Sequence, residues 1–144
     1  MARSNIRDRK ILFLSQENDC LSFIAEAIAK KLLPPKTQVF SAGLKGGKID
    51  PNAVRVLREI GIDVSAQEAK RLDAIPTQDI DLIVRLGESD EGHIAVTPRA
   101  KCKTWHIPDP CRQPTADLDA FRHARDEINN KIGGLFLDYW RNLA

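Results

Sequence analysis

Strand-like and helix-like segments alternate along most of this chain, and that alternation restricts its fold more than any other feature of the sequence. The strand-like segments are short runs rich in Val, Ile, Leu or Phe, at residues 10–14, 37–42, 81–86 and 103–107. Such an alternation favours parallel strands, because the chain needs a long crossover to return to the same edge of a sheet. We therefore predict an α/β fold of three layers, αβα, around a parallel sheet of about four strands.

The helix-like segments carry start and stop signals. Apolar residues recur at helical spacing in residues 22–33, 52–60 and 117–143. Pro34 ends the first helix, Pro51 suits the first turn of the second, and Gly61 is its natural stop. Gly133 and Gly134 interrupt the third at a cost of about 1 kcal/mol each relative to alanine. We expect the last turns of that helix to bend or fray.

Length and composition describe an ordinary globular protein. The 144 residues suit one domain, of which residues 1–8 form a polar N-terminal segment. The chain is 42% hydrophobic and 29% charged, with a formal net charge of +2, which does not indicate nucleic-acid binding. No apolar run approaches the roughly 18 residues of a membrane span, and the N-terminus lacks a signal peptide. We expect a cytoplasmic protein without membrane contact.

The cysteines and histidines do not form a metal-binding pattern in the sequence. Cys20, Cys102 and Cys111 are odd in number, and their spacing fits no zinc motif. Reduced thiols are the default in the cytoplasm. Pro108 separates His106 from Asp109 and argues against a helical metal pair. The sequence therefore predicts neither a metal ion nor another cofactor.

The segment between the first strand and the first helix raises a question of charge. A loop that joins the carboxyl end of a strand to a helix N-terminus is a common anion site, because backbone N–H groups and the helix dipole meet there. Residues 15–21 occupy this place, but they include Glu17 and Asp19 and no Lys or Arg. A phosphate-binding loop does not account for these two acids.

The order of apolar strand, S-Q-E-N-D-C-L-S and amphipathic helix resembles the low-molecular-weight protein tyrosine phosphatases and their relatives, the thioredoxin-coupled arsenate reductases. The signature of that family reads C-x-G-N-x-C-R-S. The resemblance continues in the family's order through VFSAGL, DPNAVRVLREIGIDVS, DLIVRL, WHIPDP and FRHARDEI. It implies a phosphotyrosine protein phosphatase I-like fold and identifies the chain as a degenerate member of the family.

The resemblance implies four catalytic parts, and the sequence retains two of them. Ser22 falls on the serine that supports the thiolate, and Asp109, before a proline, falls on the general acid. Ser15 replaces the nucleophilic cysteine, and Leu21 replaces the arginine that holds the oxyanion. Glu17 stands where the family has glycine. The catalytic candidates are therefore Ser15 and Asp109, with Ser15 expected to be inactive.

Each replacement removes a physical contribution to catalysis. An unassisted serine hydroxyl stays protonated, and leucine donates no hydrogen bond to an oxyanion. Carboxylates at Glu17 and Asp19 would repel a bound dianion by about 4 kcal/mol per charge pair at 4 Å and an effective dielectric of 20. We expect a closed loop without tightly bound phosphate. Asn18 should stabilise the shape of this loop, because asparagine tolerates the left-handed backbone conformation and its amide can bond locally. The anion-loop candidates are Gln16, Glu17, Asn18, Asp19, Cys20, Leu21 and Ser22.

Two further departures concern the branches of the family. The stretch GESDEGHIAV lacks the resolving cysteines of the reductases, and Cys111 and Arg112 stand where many of the phosphatases have tyrosine. Cys20 aligns with the family's second loop cysteine. One interpretation makes Cys20 a packing residue beside the helix start, and the other makes it a thiol that senses oxidants.

Three functional hypotheses follow. The first is an inactive pseudo-phosphatase that binds a protein or small-molecule partner or has a regulatory role. The second is a weak phosphomonoester hydrolase that uses Ser15 and Asp109. The third is a redox sensor that uses Cys20, together with Cys111 if the Asp109 loop approaches the anion loop as the family implies. The sequence leans towards the first, a protein without enzymatic turnover.

Overall fold

A four-stranded parallel sheet forms the centre of the protein. The computed structural model describes residues 9–87 and 100–143, with the side chains of the last helix described as far as Leu137. The strands are β1 (Lys10–Glu17), β2 (Gln38–Lys45), β3 (Leu82–Gly87) and β4 (Lys101–His106). They lie in the order β2-β1-β3-β4, and every neighbouring pair is parallel. The predicted parallel sheet of four strands is confirmed.

Three α-helices follow the predicted positions within two residues at each end. They are α1 (Leu21–Leu32), α2 (Pro51–Arg58) and α3 (Leu118–Leu143), and two short 3-10 helices span Leu72–Ala74 and Pro110–Arg112. Helix α3 continues without a break through Gly133 and Gly134. Within the described residues, no helix is both long and apolar enough to cross a membrane. The stretch GESDEGHIAV, which lacks the resolving cysteines of the reductases, lies outside the described residues apart from Gly87, as do residues 1–8.

The alternation of side chains along β1 divides the core into two layers, one on each face of the sheet. Ile11 and Phe13 belong to the larger cluster, to which all three α-helices contribute buried residues. Leu12 and Leu14 belong to a smaller cluster on the opposite face, against the 3-10 helix at Leu72–Ala74. Because both faces of β1 are buried, the strand reads as a continuous apolar run in the sequence.

The N-terminus of α2 is fixed next to the end of β1. Asp50 caps this helix, and its Oδ1 accepts a hydrogen bond from the Asn52 backbone N–H at 2.8 Å. The backbone N–H of Asp50 donates to the carbonyl oxygen of Asp19 at 2.9 Å. Pro51 occupies the first turn as predicted, and Gly61 adopts a positive φ of 81° just beyond the helix. These contacts bring the α2 start to the segment after β1.

The strand order places that segment at a switch point. From β1 the chain passes through α1 to β2 on one side, whereas β3 and β4 lie on the other side. In open parallel sheets the crevice beyond the carboxyl end of such a strand is the usual ligand site. The segment between β1 and α1 therefore occupies the position in which a functional site is expected.

Candidate functional site

The connection between β1 and α1 is shorter than the sequence predicted. Strands β1 and β2 each continue three residues beyond their predicted ends, because Ser15 pairs with Gly43 and Glu17 with Lys45. Only residues 18–20 separate β1 from α1, so the predicted seven-residue loop 15–21 is wrong in extent. A Cβ on Gly43 would lie 2.5 Å from the Asn18 backbone nitrogen, so glycine is required for this close approach.

Asn18 ties the connection to three parts of the fold. Its Nδ2 donates to Ser22 Oγ at 2.9 Å and to Ser41 Oγ at 3.0 Å. Its Oδ1 accepts from the backbone N–H of Lys70 at 3.0 Å. Asn18 does not use the left-handed conformation that asparagine tolerates, since Asp79 is the one non-glycine residue with positive φ in the described chain. Asn18 thus bonds locally to Ser22, as expected, and also to the distant Ser41 and Lys70.

A buried carboxylate, that of Glu26, extends the hydrogen-bond network of Asn18 through Ser41. Glu26 on α1 is 3% exposed, and Ser41 donates a short hydrogen bond to its Oε1. Lys30 lies 2.8 Å from Oε2, and Lys70 Nζ lies 3.4 Å from Oε1. Sequence reasoning missed this residue. The available signal was an acid on the apolar face of a helix, four residues after Ser22.

The Ser15 hydroxyl is occupied by local hydrogen bonds. Its Oγ donates to the carbonyl oxygen of Glu17 at 2.6 Å and lies 2.5 Å from Ser22 Oγ. A hydroxyl has one proton, so a donation to Glu17 leaves Ser15 as the acceptor from Ser22. These contacts contain no imidazole or carboxylate that could remove the Ser15 proton.

Arg112 supplies the cation that the segment itself lacks. Its guanidinium Nη2 lies 2.8 Å from Asp19 Oδ2 and 3.3 Å from Glu17 Oε2. Its Nε lies 3.8 Å from Asp109 Oδ2. Arg112 stands 93 residues after Asp19, in the 3-10 helix that follows the Asp-Pro pair. The two acids are therefore partners of an internal arginine, which answers the question that the sequence raised.

Burial and ion pairing have opposite effects on the pKa values of the residues around Arg112. Burial raises the pKa of Asp19 above its usual value, although the hydrogen bond from Arg112 opposes the rise. Burial also raises the pKa of Asp109. Burial acts to lower the pKa of Arg112, but its hydrogen bond to Asp19 and the surrounding carboxylates raise it overall. Arg112 therefore remains a cation against partly desolvated acids.

Two cysteines and two carboxylates meet beside this ion pair. The sulfur atoms of Cys20 and Cys111 and a carboxylate oxygen of Asp109 all lie within 4.8 Å of one another. Cys111 Sγ lies 3.5 Å from Asp50 Oδ2. Cys20 is fully buried, Cys111 is half-buried and Cys102 is exposed, and all three are free thiols. Contact with Cys111 and burial raise the pKa of Cys20 well above its usual value, so Cys20 is protonated near neutral pH.

The structure brings some of the sequence candidates together and separates others. Ser15, Asn18 and Ser22 share one hydrogen-bond network. The acids Glu17, Asp19 and Asp109 share Arg112, and Cys20 lies with Asp109 and Cys111. Gln16 is exposed, and Leu21 is buried in the larger core cluster. Sequence reasoning named Arg112 only as a departure from tyrosine. The unpaired acids of the loop were the signal that a distant cation was needed.

Comparison with known proteins gives a consistent family. The family model described as low molecular weight phosphotyrosine protein phosphatase matches residues 10–143. The chain is 33% identical over 131 residues to the arsenate reductase of Bacillus subtilis, covering 88% of this chain and 94% of that protein.

Solved structures agree with this assignment. An arsenate reductase in the phosphate binding state superposes with a TM-score of 0.78 at 26% identity, over 91% of this chain and 98% of the other. Vibrio vulnificus Wzb in complex with benzylphosphonate superposes with a TM-score of 0.73 at 28% identity, over 91% and 99%. Similarity therefore extends over nearly the whole length of the chain.

Proposed function

The chain belongs to the low molecular weight phosphotyrosine protein phosphatase family, and from that membership we propose that it is a pseudo-phosphatase. In this proposal it binds a protein or small-molecule partner, or regulates one, without hydrolysing phosphate or reducing arsenate. Two independent features of the site support the absence of turnover. One concerns the nucleophile position, and the other concerns the place where an anion would bind.

The first support comes from Ser15 at the nucleophile position. Its proton is directed to a backbone carbonyl, and its other close contact is the hydroxyl of Ser22. An oxygen nucleophile needs a base or a metal ion to become reactive near neutral pH. The contacts of Ser15 provide no base, so attack on a phosphoryl group is not assisted.

The second support carries the proposal: Arg112 is engaged by the acids of the site. An arginine that binds an oxyanion must present free N–H groups to it. Arg112 is paired with Asp19 and Glu17, so a dianion would have to displace two carboxylates that repel it. Leu21, at the family's arginine position, packs in the core and offers no replacement donor.

The hydrolase alternative has one observation in its favour. A general acid must hold its proton near the working pH, and burial raises the pKa of Asp109 in that direction. Asp109 Oδ1, however, accepts from the Cys111 backbone N–H at 3.0 Å, and its Oδ2 faces Arg112 at 3.8 Å. Both oxygens of Asp109 are thus directed to the 3-10 helix that this residue caps. We therefore favour the proposal of a protein without turnover over that of a hydrolase.

The redox alternative depends on Cys20 and Cys111. Their proximity meets one requirement for a reversible disulfide. The raised pKa of Cys20 and its complete burial act against it, because oxidants react with exposed thiolates. The free thiols are compatible with the cytoplasm, which we retain as the proposed location.

Two assays test the proposal on the purified full chain. One follows hydrolysis of p-nitrophenyl phosphate, and the other follows arsenate reduction coupled to thioredoxin, each with the Bacillus subtilis arsenate reductase as the active reference. We expect no turnover above background in either assay. Activity that is present in the wild type and lost in Ser15→Ala would instead establish the hydrolase.

A further inference from the structure

The cluster of two thiols and two carboxylates has the composition of a metal site. Cys20, Cys111 and Asp109 present three ligand atoms within 4.8 Å of one another, and Asp50 Oδ2 lies 3.5 Å from Cys111 Sγ. We propose that these four residues bind a thiophilic divalent metal ion, for which Zn²⁺ is the reference. The proposal goes beyond the pseudo-phosphatase function and does not depend on it.

A tetrahedral ion would require the four ligand atoms to contract towards it. Zinc binds sulfur at about 2.3 Å and carboxylate oxygen at about 2.0–2.2 Å, so neighbouring ligand atoms in a tetrahedron lie roughly 3.4–3.8 Å apart. The separation of Asp50 Oδ2 from Cys111 Sγ already falls in this range. Cys20 Sγ, Cys111 Sγ and the Asp109 oxygen lie within 4.8 Å of one another, so they would approach by about 1.4 Å at most. Asp50 lies outside that group of three and would have to move further to become the fourth ligand.

Three different elements hold the ligands in place. Cys20 is the N-cap residue of α1, and Asp50 is the N-cap residue of α2. Asp109 and Cys111 belong to the segment that forms the 3-10 helix before α3. Asp50 Oδ1 and Asp109 Oδ1 each accept a backbone N–H, and those bonds orient the two carboxylates. Asp50 Oδ2 then lies against the Cys111 thiol, and Asp109 Oδ2 lies 3.8 Å from Arg112 Nε, a long contact that an ion would compete with.

The charge around the cluster favours a cation. Glu17, Asp19 and Asp109 share the single positive charge of Arg112. Asp19 Oδ1 is buried and finds no donor in the part of the chain that the structure describes. A divalent ion would reduce this excess of negative charge. As each metal–sulfur bond forms, the thiol transfers its proton to the solvent, and the ion is then bound by thiolates.

The test titrates the reduced, metal-free full chain with Co²⁺ and then displaces it with Zn²⁺. We expect one ion per chain and a sulfur-to-cobalt charge-transfer band in the near ultraviolet that Zn²⁺ abolishes. The double variant Cys20→Ser, Cys111→Ser should lose the band. Cys102→Ser is the matched control, because Cys102 is exposed on β4, and it should bind as the wild type does.

The carboxylates provide a second measurement that does not depend on the buried Cys20. Asp50→Asn and Asp109→Asn are nearly isosteric, and each should weaken Zn²⁺ binding by about 10- to 100-fold or more, the range found even for residues that only support metal ligands. Circular dichroism checks that every variant is folded. Unchanged affinity in both folded variants would overturn the proposed site.

Three other results would also overturn it. They are the absence of the charge-transfer band in the reduced wild type, its persistence in the double cysteine variant, and its loss in Cys102→Ser. A disulfide between Cys20 and Cys111, found by mass spectrometry in a chain whose reduced form binds no Co²⁺, would assign the pair to redox chemistry instead. Phosphatase and reductase assays in the presence of a chelator remain an independent test of the proposed function.

Discussion

At the scale of single residues, Leu21 lies in the core at the position where the family signature has arginine. The family has arginine at this position, whereas Leu21 here is fully buried among apolar side chains. Restoring the arginine by substitution would therefore place an unpaired charge in the core. Recovery of an anion site requires a rearrangement of the α1 start as well as a change of residue type.

Leu21→Arg is expected to lower the free energy of unfolding by about 3 kcal/mol or more, because a buried charge without a partner is strongly destabilising. Leu21→Met is the matched control and should cost less than about 1.5 kcal/mol, since it conserves volume and polarity. Urea denaturation measures both. Equal stability of the two variants would show that position 21 can turn towards solvent.

At the scale of elements, Glu59 joins α2 to α3. It is the C-cap residue of α2, and its carboxylate lies 2.7 Å from Arg122 Nη2 and 2.8 Å from Arg125 Nη1, both on α3. The hydrogen bonds from Arg122, followed by those from Arg125, lower the pKa of Glu59 from 4.5 to about 2. This link fixes the approach of α3 to the helix whose N-terminus carries Asp50.

The lowered pKa of Glu59 makes the stability of the folded protein depend on pH in a definite direction. Glu59 stabilises the folded state fully above its unfolded pKa of 4.5, and this contribution is lost as the pH falls through the folded pKa of about 2. Glu59→Gln should therefore unfold at lower urea than the wild type at pH 7, and the difference should shrink between pH 4.5 and 2. The exposed Glu127, changed to Gln, is the matched control for the loss of one surface carboxylate. A difference that stays constant with pH would contradict the prediction.

At the scale of the whole molecule, Arg112 connects two segments of the site that lie far apart in the sequence. It brings the segment before α3 against the connection between β1 and α1. The same contact places Cys111 next to Cys20. The ion pairs of Arg112 thus join the two segments that carry Cys20 and Cys111.

Arg112→Ala should lower the free energy of unfolding by about 1–3 kcal/mol, because Asp19 would remain buried without its donor. Arg71→Ala is the matched control: the Arg71–Asp73 pair is 61% and 72% exposed, so its loss should change stability by less than about 0.5 kcal/mol. Thermal or urea unfolding of both variants provides the measurement. A similar effect of the two substitutions would mean that the Arg112 pairs are no stronger than surface pairs.

Much of the fold was predictable because its determinants are local. Apolar runs, helical spacing, Pro51 and Gly61 act over a few residues, and they placed four strands and three helices correctly. The ends of β1 and β2 were not predictable in this way. Polar residues such as Ser15 and Glu17 continue β1 because β2 is there to pair with them, and such pairing depends on a strand about thirty residues away.

Some features of the candidate site could likewise be predicted from the sequence, whereas others could not. The sequence by itself determined the family, the presence of serine and leucine where the family signature has cysteine and arginine, and the two acids of residues 15–21. Only the tertiary structure decided that Arg112 pairs with those acids, that Cys20 meets Cys111 and Asp109, and that Cys111 meets Asp50. The physical reason is that side-chain electrostatics and metal coordination depend on distances of a few ångströms. Residues 20, 50, 109 and 111 come that close only after the sheet and its helices have packed.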